Sequence, residues 1–175
     1  MTKLPTEYRE KNNKSFTNNL EFGLEEVFKL VKNGVVEEVE QKDVLCCNPL
    51  SVASNKKGKK RLCLDLSCHV NLACKAQKLR IESVQDFVKV VNKGDWAIFY
   101  DLKSAFHHIS VVKKHRKYLG FCVVVDGREK FYRFSQMPFV YKDASRILTK
   151  VMRTPIVKLR SSGLGHISTS IMGST

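Results

Sequence analysis

The run NPLSVASNKKGKKRLCLDL, residues 48–66, restricts the fold more than any other part of this chain. Two strand-like apolar runs flank Lys56-Lys57-Gly58-Lys59-Lys60, and a glycine between such runs predicts a β-hairpin. Its tip is a cationic finger. On the second strand Leu62, Leu64 and Leu66 alternate toward one face and leave Arg61, Cys63 and Asp65 on the other. That spacing is compatible with an arginine that meets a phosphate while Asp65 holds its orientation, and equally with a surface ion pair of little energetic weight. The four lysines are compatible with a grip on a polyanion or with simple solvation of the tip.

The charge of the whole chain bears on that choice. Lys and Arg total 31 against 17 Asp and Glu in 175 residues, a formal net charge of +14. Such an excess favours nucleic acid, through phosphate contacts and counterion release, over membranes, for which no basic amphipathic anchor is evident. No apolar run approaches the ~18 residues of a membrane span. The polar start MTKLPTEYREKNNKSF lacks the apolar centre of a signal peptide. The expectation is one domain, or a piece of a larger protein, that is intracellular (cytoplasmic or nuclear) and not secreted. Six cysteines, at 46, 47, 63, 68, 74 and 122, form no Cys-x-x-Cys pair. Cys63, Cys68, His69 and Cys74 lack the usual zinc-ligand spacings, so buried thiols are the default.

Residues 1–19 are polar and read as a flexible leader, with order beginning near Leu20. In LEFGLEEVFKLVKNG the apolar residues recur at helical spacing, and Asn33-Gly34 ends the helix. A short strand from VVEEVE follows. Beyond the hairpin, Ser83 and Asp86 give a capping signal for a helix carrying Val84, Phe87, Val88 and Val91. Asn92 to Asp95 is a turn, and Trp96 to Tyr100 reads as a buried central strand with Asp101 at its end. LKSAFHHISV predicts a turn or short helix, HRKYLGFCVVV a strand, Asp126-Gly127-Arg128 a hairpin turn and EKFYRFSQM the returning strand. A helix from Lys142 to about Val157 should bend or end at Pro155, and Ile167 to Met172 reads as a final strand.

Four segments, in order, carry a resemblance: LVKNGVVEEV leading to NPLSV, then KKGKKRLCLDLSCHVN, GDWAIFYDLKSAFHHI, and KYLGF followed by KFYRFSQMPF. From about Leu24 to Arg160 the chain resembles the fingers and palm of a reverse transcriptase, most closely those of DIRS-type tyrosine-recombinase retrotransposons. The resemblance implies an α+β fold, with a fingers subdomain over residues 20–94 and part of a ferredoxin-like palm over 95–175. It implies that Arg61, with Asp65, meets the incoming nucleotide's triphosphate, that Asn71 fills a matching asparagine position, and that Lys56, Lys57, Lys59 and Lys60 contact template or primer. It places Asp101 as the first catalytic carboxylate and magnesium ligand, with the Leu102 carbonyl beside it. Phe106 takes the place of the aromatic that crowds the sugar's 2′ position. Read from residues alone, Asp101 is equally a helix start, and core packing is the favoured reading of Phe106. His107 and His108 match a paired histidine that is not a ligand in the family.

The departures matter as much. Family chemistry uses two Mg2+ ions held by three carboxylates to join deoxynucleoside triphosphates to a primer on an RNA template or RNA/DNA hybrid. The register of the second motif, an Asp-Asp turn, falls on Gly173 and Ser174. One carboxylate in place of three cannot hold two ions against their repulsion. Val140 stands where the family carries a flexible glycine after Pro-Phe, which should disturb contact with template and nucleotide. Nor does a thumb follow within these residues. The expectation is a catalytically incomplete, truncated reverse-transcriptase domain, with a non-catalytic primer-template binding module as the alternative and an unrelated basic α/β domain as a third reading.

Overall fold

The computed structural model describes residues 4–75, 77–78, 85, 92–96 and 102–161. Strands β1 (Tyr8–Arg9), β2 (Val36–Val39), β3 (Cys46–Cys47), β6 (Gly120–Val125) and β7 (Arg128–Phe134) form one mixed sheet in the order β1-β3-β6-β7-β2. Strand β3 runs parallel to both neighbours, whereas β2–β7 and β6–β7 are antiparallel. A second sheet is the hairpin β4 (Leu50–Ser54) and β5 (Lys60–Leu64). Short helices α1 (Lys14–Thr17), α3 (Val70–Ala73) and α4 (Lys113–Arg116) accompany two longer ones, α2 (Leu20–Lys32) and α5 (Ala144–Ser161). Among the described residues no helix is long and apolar enough to cross a membrane.

Local chemistry accounts for these elements. Helix α2 buries Gly23 and Val27 and ends on Gly34 at φ +68°, with Val35 N–H donating to Leu30 O and Gly34 N–H to Val31 O. That is the paired closure a left-handed residue permits. Asp126 and Gly127, both at positive φ, join β6 to β7 in the two-residue turn that matches strand twist. The core stacks Phe121 on Tyr132, with ring centroids 5.4 Å apart, and adds Val27, Val36, Leu50, Leu64, Leu66 and Phe134. Burial also pushes the Tyr132 hydroxyl up to about 12, with the Glu38 carboxylate adding to it.

Several expectations change. The polar start is not a leader throughout: Tyr8–Arg9 is a sheet strand, and Phe16 on α1 is 2% exposed against Gly23. Asparagine and serine side chains there bond to backbone of distant strands, which hydropathy does not register. Trp96 is 99% exposed, because it leaves the turn closed by Asp95 N–H to Asn92 O; residues 97–100 lie outside the described residues. His115–Lys117 joins a helical turn rather than a strand, since KKHRK carries no apolar alternation. Helix α5 runs through Pro155, which is exposed, as is Val151, whose carbonyl loses its helical donor where water reaches it. The helix expected over 84–91 and the strand over 167–172 lie outside the described residues apart from helical Gln85.

Candidate nucleic-acid interface

The β4–β5 register, Leu50 opposite Leu64 through Ser54 opposite Lys60, leaves residues 55–59 as the tip. Asn55 builds it. Its side-chain Oδ1 accepts from Lys57 N–H at 3.0 Å and Lys59 N–H at 2.9 Å, while its carbonyl accepts from Gly58 N–H at 2.9 Å. Gly58 sits at φ +76°, a conformation lysine neighbours would resist. Lys56, Lys57, Lys59 and Lys60 are all exposed, and the Lys60 ammonium lies 6.0 Å from the Phe22 ring centroid on α2. Three cations on the tip and a fourth at the start of β5 thus form an exposed, positively charged surface.

Arg61 opens the far side of the hairpin, opposite Ala53 and half-buried. Asp65 does not turn toward it as the spacing suggested. Its Oδ1 accepts from Ser67 Oγ at 2.6 Å and Ser67 N–H at 2.9 Å, and these bonds hold its carboxyl below the ordinary value. Asp65 is therefore a turn former: the serine two residues on competes successfully for its oxygen. Leu66, just beyond, is 1% exposed and anchors the turn in the core.

Asn71 on α3 joins the hairpin's exit to the Pro138-Phe139-Val140-Tyr141 turn. Its Nδ2 donates to Val140 O at 2.9 Å and its Oδ1 accepts from Lys142 N–H at 2.9 Å. Lys142 Nζ reaches back to Asn71 O at 3.4 Å and Cys74 O at 3.3 Å. The end of the KKGKKRLCLDLSCHVN segment thus meets the residues just after Pro138-Phe139 through one side chain. Val140 is not among the described residues with positive φ, so its backbone needs no glycine, and its side chain packs against the core. Phe139 is half exposed beside it.

Leu102 is exposed, and Phe106 is half-buried on the 3-10 turn Ala105–His108. His107 has its pKa lowered by burial and by the neighbouring His108, which suits a packed neutral ring. Asp101, Gly173 and Ser174 lie outside the described residues. Among the described residues no group of three or more His, Cys, Asp or Glu is placed to hold a metal. The thiols divide by position: Cys46 and Cys47 are buried and pushed by that burial up to about 11, Cys74 is buried, and Cys68 is exposed, contrary to the buried default.

Sequence reasoning missed the segment before Leu20 and Asn48. The Asn48 side chain is 1% exposed and donates to Cys46 O, Tyr118 O and Gly120 O while accepting from the Tyr8 hydroxyl. A signal for the first existed, since Phe16, Leu20, Gly23 and Val27 fall at helical spacing. None existed for Asn48.

A mixed sheet with a separate basic hairpin and flanking helices is, at the coarse level, a reverse-transcriptase-like fold. The chain is similar to the crystal structure of the prototype foamy virus protease-reverse transcriptase, with TM-score 0.64 and 14% identity over 90% of this chain. It spans 20% of the length of that viral chain. No family model matches the sequence, and no curated protein matches it.

Proposed function

We propose that this chain is a reverse-transcriptase domain of a retroelement by descent, with fingers and partial palm, that holds primer-template nucleic acid without turning over deoxynucleotides. The observation that carries the reading is the exposed Lys56–Lys60 tip on a fold similar to a reverse transcriptase, in a chain of net charge +14. Phosphate contacts dominate such affinity and make it salt-dependent. Arg61, beside the tip on β5, and Phe106 are assigned to the nucleotide side, with Asp65 shaping the turn that follows β5.

Magnesium does not fit the donors at hand. Asp101 supplies one carboxylate and Leu102 one carbonyl, whereas Gly173 and Ser174, at the register of the acidic pair, supply no carboxylate. Two divalent cations about 4 Å apart need several anionic oxygens to offset their repulsion. No step is therefore routed through the metal, and the residues bind and orient only.

Two measurements test this. Fluorescence anisotropy of an RNA-template, DNA-primer duplex should show affinity falling steeply with salt. Replacing Lys56, Lys57, Lys59 and Lys60 by alanine should flatten the slope of log K against log salt by about 3, near 0.7 to 0.9 per lost phosphate contact. An unchanged slope overturns the hairpin's role. Primer extension with magnesium and deoxynucleotides should give no product, and incorporation abolished by Asp101→Ala would refute the non-catalytic reading.

A further inference from the structure

The chain passes from the large sheet to the basic hairpin through Asn48 and Pro49, the two residues between β3 and β4. Apolar packing of Leu50, Val52 and Leu64 keeps the hairpin base against the core, but such packing is non-directional and sets contact better than angle. Asn48 ties the junction itself to Tyr118 O and Gly120 O, and the directional bonds that reach on to β4 come from the polar segment before α2.

That segment starts on the sheet. Tyr8 N–H donates to Leu45 O at 3.2 Å and Glu10 N–H to Cys47 O at 2.9 Å, while Arg9 pairs with Glu129 and lies over the Phe131 ring at 5.2 Å. It then leaves β3 and follows β4: Asn13 N–H donates to Leu50 O at 3.0 Å and Val52 N–H to Ser15 Oγ at 3.2 Å. A side link reaches the turn before α3, where His69 stacks on Tyr8 at 3.7 Å and its Nε2 lies 3.0 Å from Glu10 Oε1. At the crossing point one side chain spans both sheets. Asn12 Nδ2 donates to Cys122 O on β6 at 2.8 Å, and Asn12 Oδ1 accepts from Leu50 N–H on β4 at 2.9 Å.

We propose that residues 8–16 are a splint that sets the angle of the basic hairpin against the main sheet, and that Asn12 is its positioning residue. One primary amide fixes two backbones in a defined geometry, and no aliphatic side chain can replace it. Phe16, buried against α2, fastens the far end of the splint. The consequence for ligand binding rests on the reading above: a hairpin held at one angle presents its four lysines to nucleic acid without first losing orientational freedom.

Residual dipolar couplings on the full chain separate the two ideas. In the unaltered protein, amides of β4–β5 and of β6–β7 should fit a single alignment tensor. In Asn12→Ala, and in Asn12→Asp, which keeps the acceptor for Leu50 but loses the donor to Cys122, the hairpin amides should need a smaller tensor while β6–β7 is unchanged. If the competent angle is then populated about one-third of the time, primer-template affinity falls about threefold. A single shared tensor in both variants overturns the splint. Loss of the shared tensor in a protein that never bound primer-template upholds the splint and refutes only the nucleic-acid reading.

Discussion

The packing of Phe16 against Gly23 offers the sharpest check on the order of the polar start. Phe16 is 2% exposed, and a Cβ added to Gly23 would overlap the Phe16 ring, with Cδ2 at 2.9 Å. Truncating a buried phenylalanine costs about 3 kcal/mol. At about 2–4 °C per kcal/mol for a chain of this size, Phe16→Ala should melt about 6–12 °C lower. A flexible leader would show no change. Gly23→Ala sharpens the point through its sign. In the intact protein, overpacking of about 1–3 kcal/mol opposes a helix-propensity gain of about 1 kcal/mol, so the change is neutral to destabilising. In the Phe16→Ala background the ring is gone and the same substitution should stabilise by up to about 1 kcal/mol. Urea unfolding followed by circular dichroism of the four proteins gives the cycle. Additivity within about 0.5 kcal/mol, or a Phe16→Ala effect that small, refutes the contact.

Asn48→Ala should destabilise by about 3 kcal/mol in urea unfolding, because Cys46 O and Tyr118 O lose the side-chain donor, Gly120 O keeps only the Asn48 N–H, and the Tyr8 hydroxyl loses its acceptor in a closed site. An effect below about 1 kcal/mol would mean that the network is dispensable. Burial alone would raise the Glu37 carboxyl, but Arg133 at 2.7 Å and Arg116 at 3.4 Å overcome it and hold it below its ordinary value. Its stabilising contribution is thus complete above the ordinary value of 4.5 and lost as pH falls through the lower folded value. Chemical denaturation as a function of pH should be flatter in that acid range for Glu37→Gln, and an identical slope would show the pair to be inert. Among the thiols, exposed Cys68 should alkylate first with iodoacetamide under native conditions, ahead of buried Cys46, Cys47 and Cys74, as peptide mass mapping would show. Early labelling of Cys47 would contradict the sheet position assigned to it.

What periodicity can express was legible. The helix over Leu20–Lys32, its Asn33-Gly34 end, the lysine-tipped hairpin and the Asp126-Gly127 turn follow from spacing and from residues that tolerate positive φ. Pro155 misled because the proline rule describes the missing bond and not the exposed place where water replaces it. Arg61 and Asp65 misled in the opposite direction: alternation puts both on one face, yet Ser67 is closer to Asp65 in sequence and takes its oxygen. Face is a property of the strand, but partner choice is a property of everything within reach.

Three asparagines make the limit concrete. Asn12 bridges to residues 38 and 110 positions away, Asn48 to residues 40 and 72 away, and Asn71 to a carbonyl 69 away. Each uses both ends of its amide, Asn12 and Asn48 on separate segments and Asn71 on the one turn at Val140 and Lys142, which is the satisfaction a buried or partly buried polar group requires. None of those separations leaves a local pattern, and polarity alone assigned residues 1–19 to solvent. The same property makes these residues informative about how the interface is built. A hydrophobic contact tolerates rotation, whereas an amide that joins two backbones does not, so the angles among hairpin, sheet and the Pro138–Tyr141 turn depend on asparagine donors and acceptors. A hairpin proposed to present four lysines to nucleic acid is better served by that chemistry than by additional core, because added apolar burial would raise stability without defining where the hairpin points.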